Sequence, residues 1–309
     1  MFEENIEGQL TIGQLAPEFL LYAEVERGFS KETITKYRDC LRQVQKYCGD
    51  LSAEQFSKTN LLELKRAMLE KNLGTNRQIS ILLALKSFLG YLKTEKQLSV
   101  LDPESIKAPR RPRKEVSYLT VDEVNNFVSS IKMTNAHGGV YLPGLRFRAL
   151  VEAILGSAMR ISEVLSLNRN QINAKMAETK IVGKGRKERV AFFTDQALYW
   201  IRQYLDTRTD NSLALFVCQD GVSRLKRTDI WRPFRKYRRL SGIEKKVTPH
   251  LLRHTAATQL LFNGCPIGHI KEILGHERLE TTCRYYLGLD HRAAKAAHRK
   301  YLVYSPETT

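Results

Sequence analysis

Apolar residues in the first hundred positions recur at steps of three and four: Ile12, Leu15, Phe19 and Tyr22, then Ile34, Tyr37, Leu41, Val44 and Tyr47. That is the helical period, so each series marks one buried helix face. Ser30, just ahead of Lys31-Glu32-Thr33, has the side chain to cap the second helix. Residues 76–93 carry Ile79, Leu82, Leu83, Leu85, Phe88, Leu89 and Leu92, a broad apolar side that demands burial. The pattern predicts a small bundle of four or so helices over residues 1–106.

Past that point the pattern breaks. Residues 107–114 read KAPRRPRK, with two prolines against a helix and five positive charges without a negative one. We read residues 107–116 as a basic linker, with Lys107, Arg110, Arg111, Arg113 and Lys114 set to follow a phosphate backbone. A solvated loop is the plainer alternative. A second domain over residues 117–290 opens at Thr120, whose hydroxyl and Glu123 three positions on form a capping box. Helical pattern runs through 145–155, then gives way to strand-like pieces at 179–182 and 188–193 flanking Gly183-Lys184-Gly185-Arg186, a hairpin with a basic tip. Helices return at 195–204, 228–240, 249–262, 268–274 and 280–287. Residues 291–309 form a tail whose segment 292–300 is Ala-rich, basic and suited to a helix. The fold class is mainly α with a small β-sheet.

Charge narrows the partner. Fifty Lys and Arg against 33 Asp and Glu leave a formal charge of +17, the electrostatic footprint of a nucleic-acid binder. The five cysteines are odd in number and never spaced as C-x-x-C, against a disulfide framework or zinc knuckle and in favour of a reducing compartment. The acidic start MFEENIEGQL does not read as a signal peptide, and no apolar run reaches membrane-spanning length, so a cytoplasmic, nucleoid-associated protein is expected.

Four short stretches carry candidate chemistry. Thr248-Pro249-His250-Leu251-Leu252-Arg253-His254 starts a helix with a capping Thr and a Pro at its first position, and its open N–H groups favour phosphate. His250 and Arg253 share a face, where a guanidinium grips phosphate oxygens and an imidazole handles a proton. His254 reads better as a packed histidine, and no Glu follows His250 as a zinc-binding H-E-x-x-H needs. Arg160 sits among apolar neighbours and requires an acid or an anionic ligand; Glu163, one turn on, is expected to hold it in place. The hairpin tip presents Lys184, Arg186, Lys187 and Arg189, with glycines on either side of Lys184 to let the backbone approach a ligand. Leu274-Gly275-His276 ends one helix, and Tyr285-Tyr286 lie in the next. Each stretch alone also reads as an ordinary surface pair, turn or packed aromatic.

The order and spacing of Arg-Ile-Ser-Glu at 160–163, Gly-Lys-Gly at 183–185, Thr-Pro-His-Leu-Leu-Arg-His at 248–254, Leu-Gly-His at 274–276 and the later tyrosine resemble the tyrosine recombinase, or phage-integrase, family. Its compact Xer-type and transposon-encoded members are the most similar. The resemblance covers nearly the whole chain and implies an N-terminal helical core-binding, SAM-like bundle followed by an α+β catalytic domain. It implies phosphate clamping by Arg160 and Arg253, leaving-group protonation by Lys184, hydrogen bonding or proton handling by His250 and His276, and attack by Tyr285. Ser157-Ala158 stands where Thr-Gly is common, and Tyr286 adjoins the expected nucleophile. The implied activity is site-specific recombination through a 3′-phosphotyrosyl intermediate and a Holliday junction, without ATP, metal or other cofactor, in DNA integration, excision or resolution. The implied partners are a double-stranded recombination site and three further copies in a synaptic tetramer, assembled from monomers or dimers, with accessory DNA-binding proteins; the tail then contacts a neighbouring protomer. Supercoil relaxation in the manner of a type IB topoisomerase uses the same chemistry. A non-catalytic DNA-binding regulator accounts for the charge alone.

Overall fold

The structure, a computed structural model, describes residues 10–110, 117–182 and 188–275. The chain divides into two compact units, Met1–Lys114 and Glu115–Thr309, and each is taken by itself.

In the first unit α1 (Ile12–Val25), α2 (Lys31–Cys48), α3 (Lys58–Glu70) and α4 (Thr75–Thr94) form the bundle that the periodicity predicts. The starts of α1, α2 and α3 follow from side chains able to accept a backbone N–H. Thr11 and Gln14 form a capping box, Ser30 accepts from Thr33 N–H, and Ser57 pairs reciprocally with Asn60. The core joins Phe19, Leu41, Val44, Leu64, Met68, Leu85, Phe88 and Leu89. Each such side chain contributes roughly 1.5–3 kcal/mol relative to exposure. Leu83 differs from expectation: it is 46% exposed. It lies about 100° around the helix from Leu82, which the bundle covers first. Lys107 and Arg110, at the start of the basic stretch, are exposed; Arg111, Arg113 and Lys114 lie outside the described residues.

The second unit is built around α6 (Leu142–Ser157), which packs against α8 (Asp195–Asp206) and α10 (Pro249–Phe262). Phe147 of α6 meets the ring of Phe234, 4.9 Å away edge to face, and stacks on Tyr237 at 5.1 Å; both partners belong to α9 (Trp231–Leu240). This helix begins three residues later than the pattern suggests, because Asp229 takes the Lys226 N–H and the Thr228 hydroxyl in a turn. The short helix α5 (Val121–Ser129) keeps its predicted capping box. Strands β1 (Glu178–Val182) and β2 (Glu188–Phe192) pair antiparallel, from Glu178 opposite Phe192 to Val182 opposite Glu188.

Two further helices complete the described part. The six-residue α7 (Ile161–Ser166) follows α6 directly, because Ala158 ends α6 in the left-handed conformation at φ 52° and turns the chain. Helix α11 (Ile267–Leu274) ends at Gly275, also left-handed. Small residues let it close on α10: Ala158, Ala256 and Ala257 pack with Ile270 and Leu274 in a separate apolar cluster. Among the described residues no helix is long and apolar enough to cross a membrane.

Candidate active site

Glu163 is the centre of the arrangement. Its side chain is only 6% exposed, and a carboxylate so deprived of water needs donors from the protein. It accepts the Arg160 backbone N–H at 2.8 Å and the Arg160 guanidinium at 2.9 Å. Arg189, from β2, donates at 3.0 Å to Oε2, the oxygen that also takes the Arg160 N–H, and the Arg253 guanidinium stands 3.9 Å from that same oxygen. Burial by itself raises the Glu163 pKa, but the Arg160 N–H, the Arg189 charge and the Arg160 guanidinium outweigh it and hold the carboxyl below its ordinary value.

The same three arginines hold the end of α11. Arg189 donates to the Ile273 carbonyl at 2.8 Å, Arg253 to Leu274 at 2.5 Å, and Arg160 to Gly275 at 3.3 Å. A helix leaves its last carbonyls without partners and carries negative charge at that end, so cations are suited to it. Arg253, itself 5% exposed, also donates to the Ala158 carbonyl at 2.8 Å. One guanidinium thus ties α10 to the end of α6 and to the end of α11. Arg160 is 37% exposed at its side chain and retains an open face.

At the start of α10, Thr248 Oγ1 accepts the Leu251 N–H and Pro249 has no N–H to give. Of the first three helical positions only His250 therefore keeps a donor, fewer than the sequence suggests. The His250 ring meets His254 Nε2 to Nε2 at 2.9 Å, one ring donating and the other accepting. Desolvation, then the charges of Arg253, Arg160 and Arg227, lower the His250 pKa, so the imidazole is neutral at pH 7.

The structure therefore brings together Arg160, Glu163, His250 and Arg253 from α7 and α10. Lys184, Arg186, Lys187, His276 and Tyr285 lie outside the described residues, as do helix 280–287 and the tail 291–309. One member was missed from sequence and another was given a different setting. Arg227 adds positive potential at His250. Arg189, grouped in the sequence with the ligand-facing hairpin tip, instead has its side chain 16% exposed and turned onto Glu163.

The match with known proteins agrees with this geometry. Residues 117–292 match the phage integrase family, and residues 16–96 match its N-terminal SAM-like domain. This chain belongs to the phage integrase family. Members are tyrosine recombinases, which cleave and transfer DNA strands. The integrase is 30% identical over 283 residues to tyrosine recombinase XerD of Oceanobacillus iheyensis, spanning 87% of this chain and 91% of that one. It is 29% identical to XerD of Lacticaseibacillus casei, over 93% of this chain and 97% of the relative. Among solved structures, the Tn1549 transposon integrase in complex with transposon right end DNA superposes with a TM-score of 0.77 at 16% identity, covering 95% of this chain and all 100% of that one. A lambda integrase tetramer bound to a Holliday junction gives 0.71 at 14%, over 89% and 80%. At such identities these two speak for the fold of the integrase.

Proposed function

We propose that this recombinase breaks and rejoins DNA at a specific double-stranded site, with Arg160 and Arg253 clamping the scissile phosphate. The observation that carries the reading is their convergence on Glu163: two guanidiniums from separate helices are fixed by protein groups before any phosphate arrives. Tyr285 attacks phosphorus through its hydroxyl oxygen and passes its proton to the neutral imidazole of His250. The bond to the 5′ oxygen breaks, and that oxygen leaves with the bonding pair and takes a proton from Lys184. A 3′-phosphotyrosyl linkage and a free 5′-hydroxyl result, and the reverse attack by another strand's 5′-hydroxyl reseals the backbone without ATP. His250, neutral at pH 7, accepts or donates a hydrogen bond at the phosphate, and His276 supplies a second one. The cations already gathered stabilise the charge, so no metal or other cofactor takes part.

Lys107, Arg110, Arg111, Arg113, Lys114, Arg186 and Lys187 contact the DNA backbone in this reading. Four copies synapse two sites and pass through a Holliday junction, as the lambda integrase relative is seen to bind one. The tail 291–309 reaches a neighbouring copy, and a cavity of about 500 Å³ lined by Leu155, Phe192, Ala256, Leu260 and Ile273 supports this with an apolar receptor. The working place is the nucleoid in the cytoplasm, where such DNA is found. Supercoil relaxation is the second reading; the SAM-like match at residues 16–96 favours recombination.

A nicked suicide duplex carrying the target site tests the assignment. The wild-type chain is expected to form a covalent DNA adduct and Tyr285→Phe to form none. An adduct that persists in Tyr285→Phe and disappears in Tyr286→Phe moves the nucleophile by one position.

A further inference from the structure

Arg189 is turned inward, unlike a cation at a hairpin tip that faces solvent: its side chain is 16% exposed. It is the second residue of β2, and its side chain runs inward past Gly275. Gly275 has φ +59°, and a Cβ there would overlap the Arg189 Nε, which has no hydrogen-bond partner among the described residues. The glycine is thus needed for its backbone angle and for the space that the arginine fills. From that position Nη1 donates to the Ile273 carbonyl and Nη2 to Glu163.

We propose that Arg189 is a positioning residue for strand cleavage, which keeps Arg160 and Arg253 available to phosphate by occupying Glu163 itself. Glu163 offers one negative charge to three guanidiniums. The Glu163 oxygen that Arg189 engages is the one from which Arg253 stands off at 3.9 Å. Without Arg189 that buried oxygen keeps only the Arg160 backbone N–H, and Arg253, the guanidinium that now stands off from it, is drawn onto it and away from the phosphate. Arg189 also fixes two chain ends, that of α11 just before His276 and that of β2 just after the segment holding Lys184. A displacement of about 1 Å in such a frame costs on the order of 100-fold in rate.

The inference rests on Arg160 and Arg253 clamping the phosphate, and the test separates the two ideas. Single-turnover cleavage is measured for wild type, Arg160→Gln and Arg189→Met on an ordinary diester and on a methylphosphonate, in which the nonbridging charge is gone. Arg189→Met is expected to slow diester cleavage by about 10- to 100-fold and to lose clearly less on the methylphosphonate. The salt dependence of its DNA binding should match wild type, whereas loss of a phosphate contact reduces that slope by about one. An unchanged diester rate, an equal loss on both substrates, or a reduced salt slope overturns the positioning role. If Arg160→Gln itself loses equally on both substrates, the clamp assignment fails instead. Should Arg189→Met not fold, Arg189→Lys decides by the same readouts, because it keeps the charge beside Glu163 and gives up the fork that reaches Ile273.

Discussion

Glu163→Gln isolates the feature on which the rest of the site hangs. The substitution preserves shape and one acceptor oxygen but removes the charge facing three guanidiniums and turns an amide N–H toward one of them. Removing one partner from a buried ion pair costs about 3–5 kcal/mol. Arg160 is 37% exposed and its share is screened, while Arg189 at 16% and Arg253 at 6% are not. The lower end, about 3 kcal/mol, is therefore the expected loss at pH 7. For a unit of this size that lowers the melting temperature by roughly 10 °C. The pH dependence adds a second criterion. The folded carboxyl lies below its ordinary value, so its stabilisation is complete above about pH 4.3 and is lost as pH falls through the depressed value. The gap between wild type and variant should be widest near neutrality and narrow below about pH 4. Urea unfolding at pH 7 and at pH 3.5 measures both. A loss below about 1 kcal/mol at pH 7, or a gap that does not narrow in acid, would refute the account of a buried carboxylate organising the arginines.

Two other expectations follow from the same region. Ala158 holds φ 52°, which costs about 1–2 kcal/mol without glycine's freedom, yet its methyl is 2% exposed and worth about 0.8 kcal/mol when buried, and glycine adds unfolded-state entropy. Ala158→Gly should therefore change stability by less than about 1 kcal/mol, and a urea titration showing a shift beyond about 2 kcal/mol contradicts that balance. For His250, the lowered pKa means that protonation favours the unfolded chain, so stability declines as pH drops below about 6.5. An NMR titration of its imidazole is expected to have a midpoint below that value, and one at or above it rejects the account of a desolvated imidazole among cations.

Much of the fold could be read from the chain because several signals coincide. In α2 the period of Ile34, Leu41 and Val44 agrees with the Ser30 cap, and the bundle forms as the pattern says. Helix α7 has six residues, fewer than two turns, so no period develops and the pattern does not mark it. Strand β2 misleads for a different reason. Val190 and Phe192 form its apolar face but are 38% and 53% exposed, while Arg189 shares the inward face with Ala191 at 1%. Alternation alone selects the wrong face, since the carboxylate that draws Arg189 inward is 26 residues away in sequence. Arg160, His250 and Arg253 were legible as a set through their motifs; that the arginines bind helix carbonyls as well as an acid required the tertiary arrangement.

The triple hold on Ile273, Leu274 and Gly275 also sets an order of assembly. Arg160, Arg189 and Arg253 all precede these carbonyls in the chain, so a growing polypeptide displays the three guanidiniums before it can lock them. Until residue 275 has left the ribosome, the full set of carbonyl partners for the three guanidiniums is incomplete. The frame around the proposed phosphate clamp therefore closes in one step, when residues 273–275 emerge.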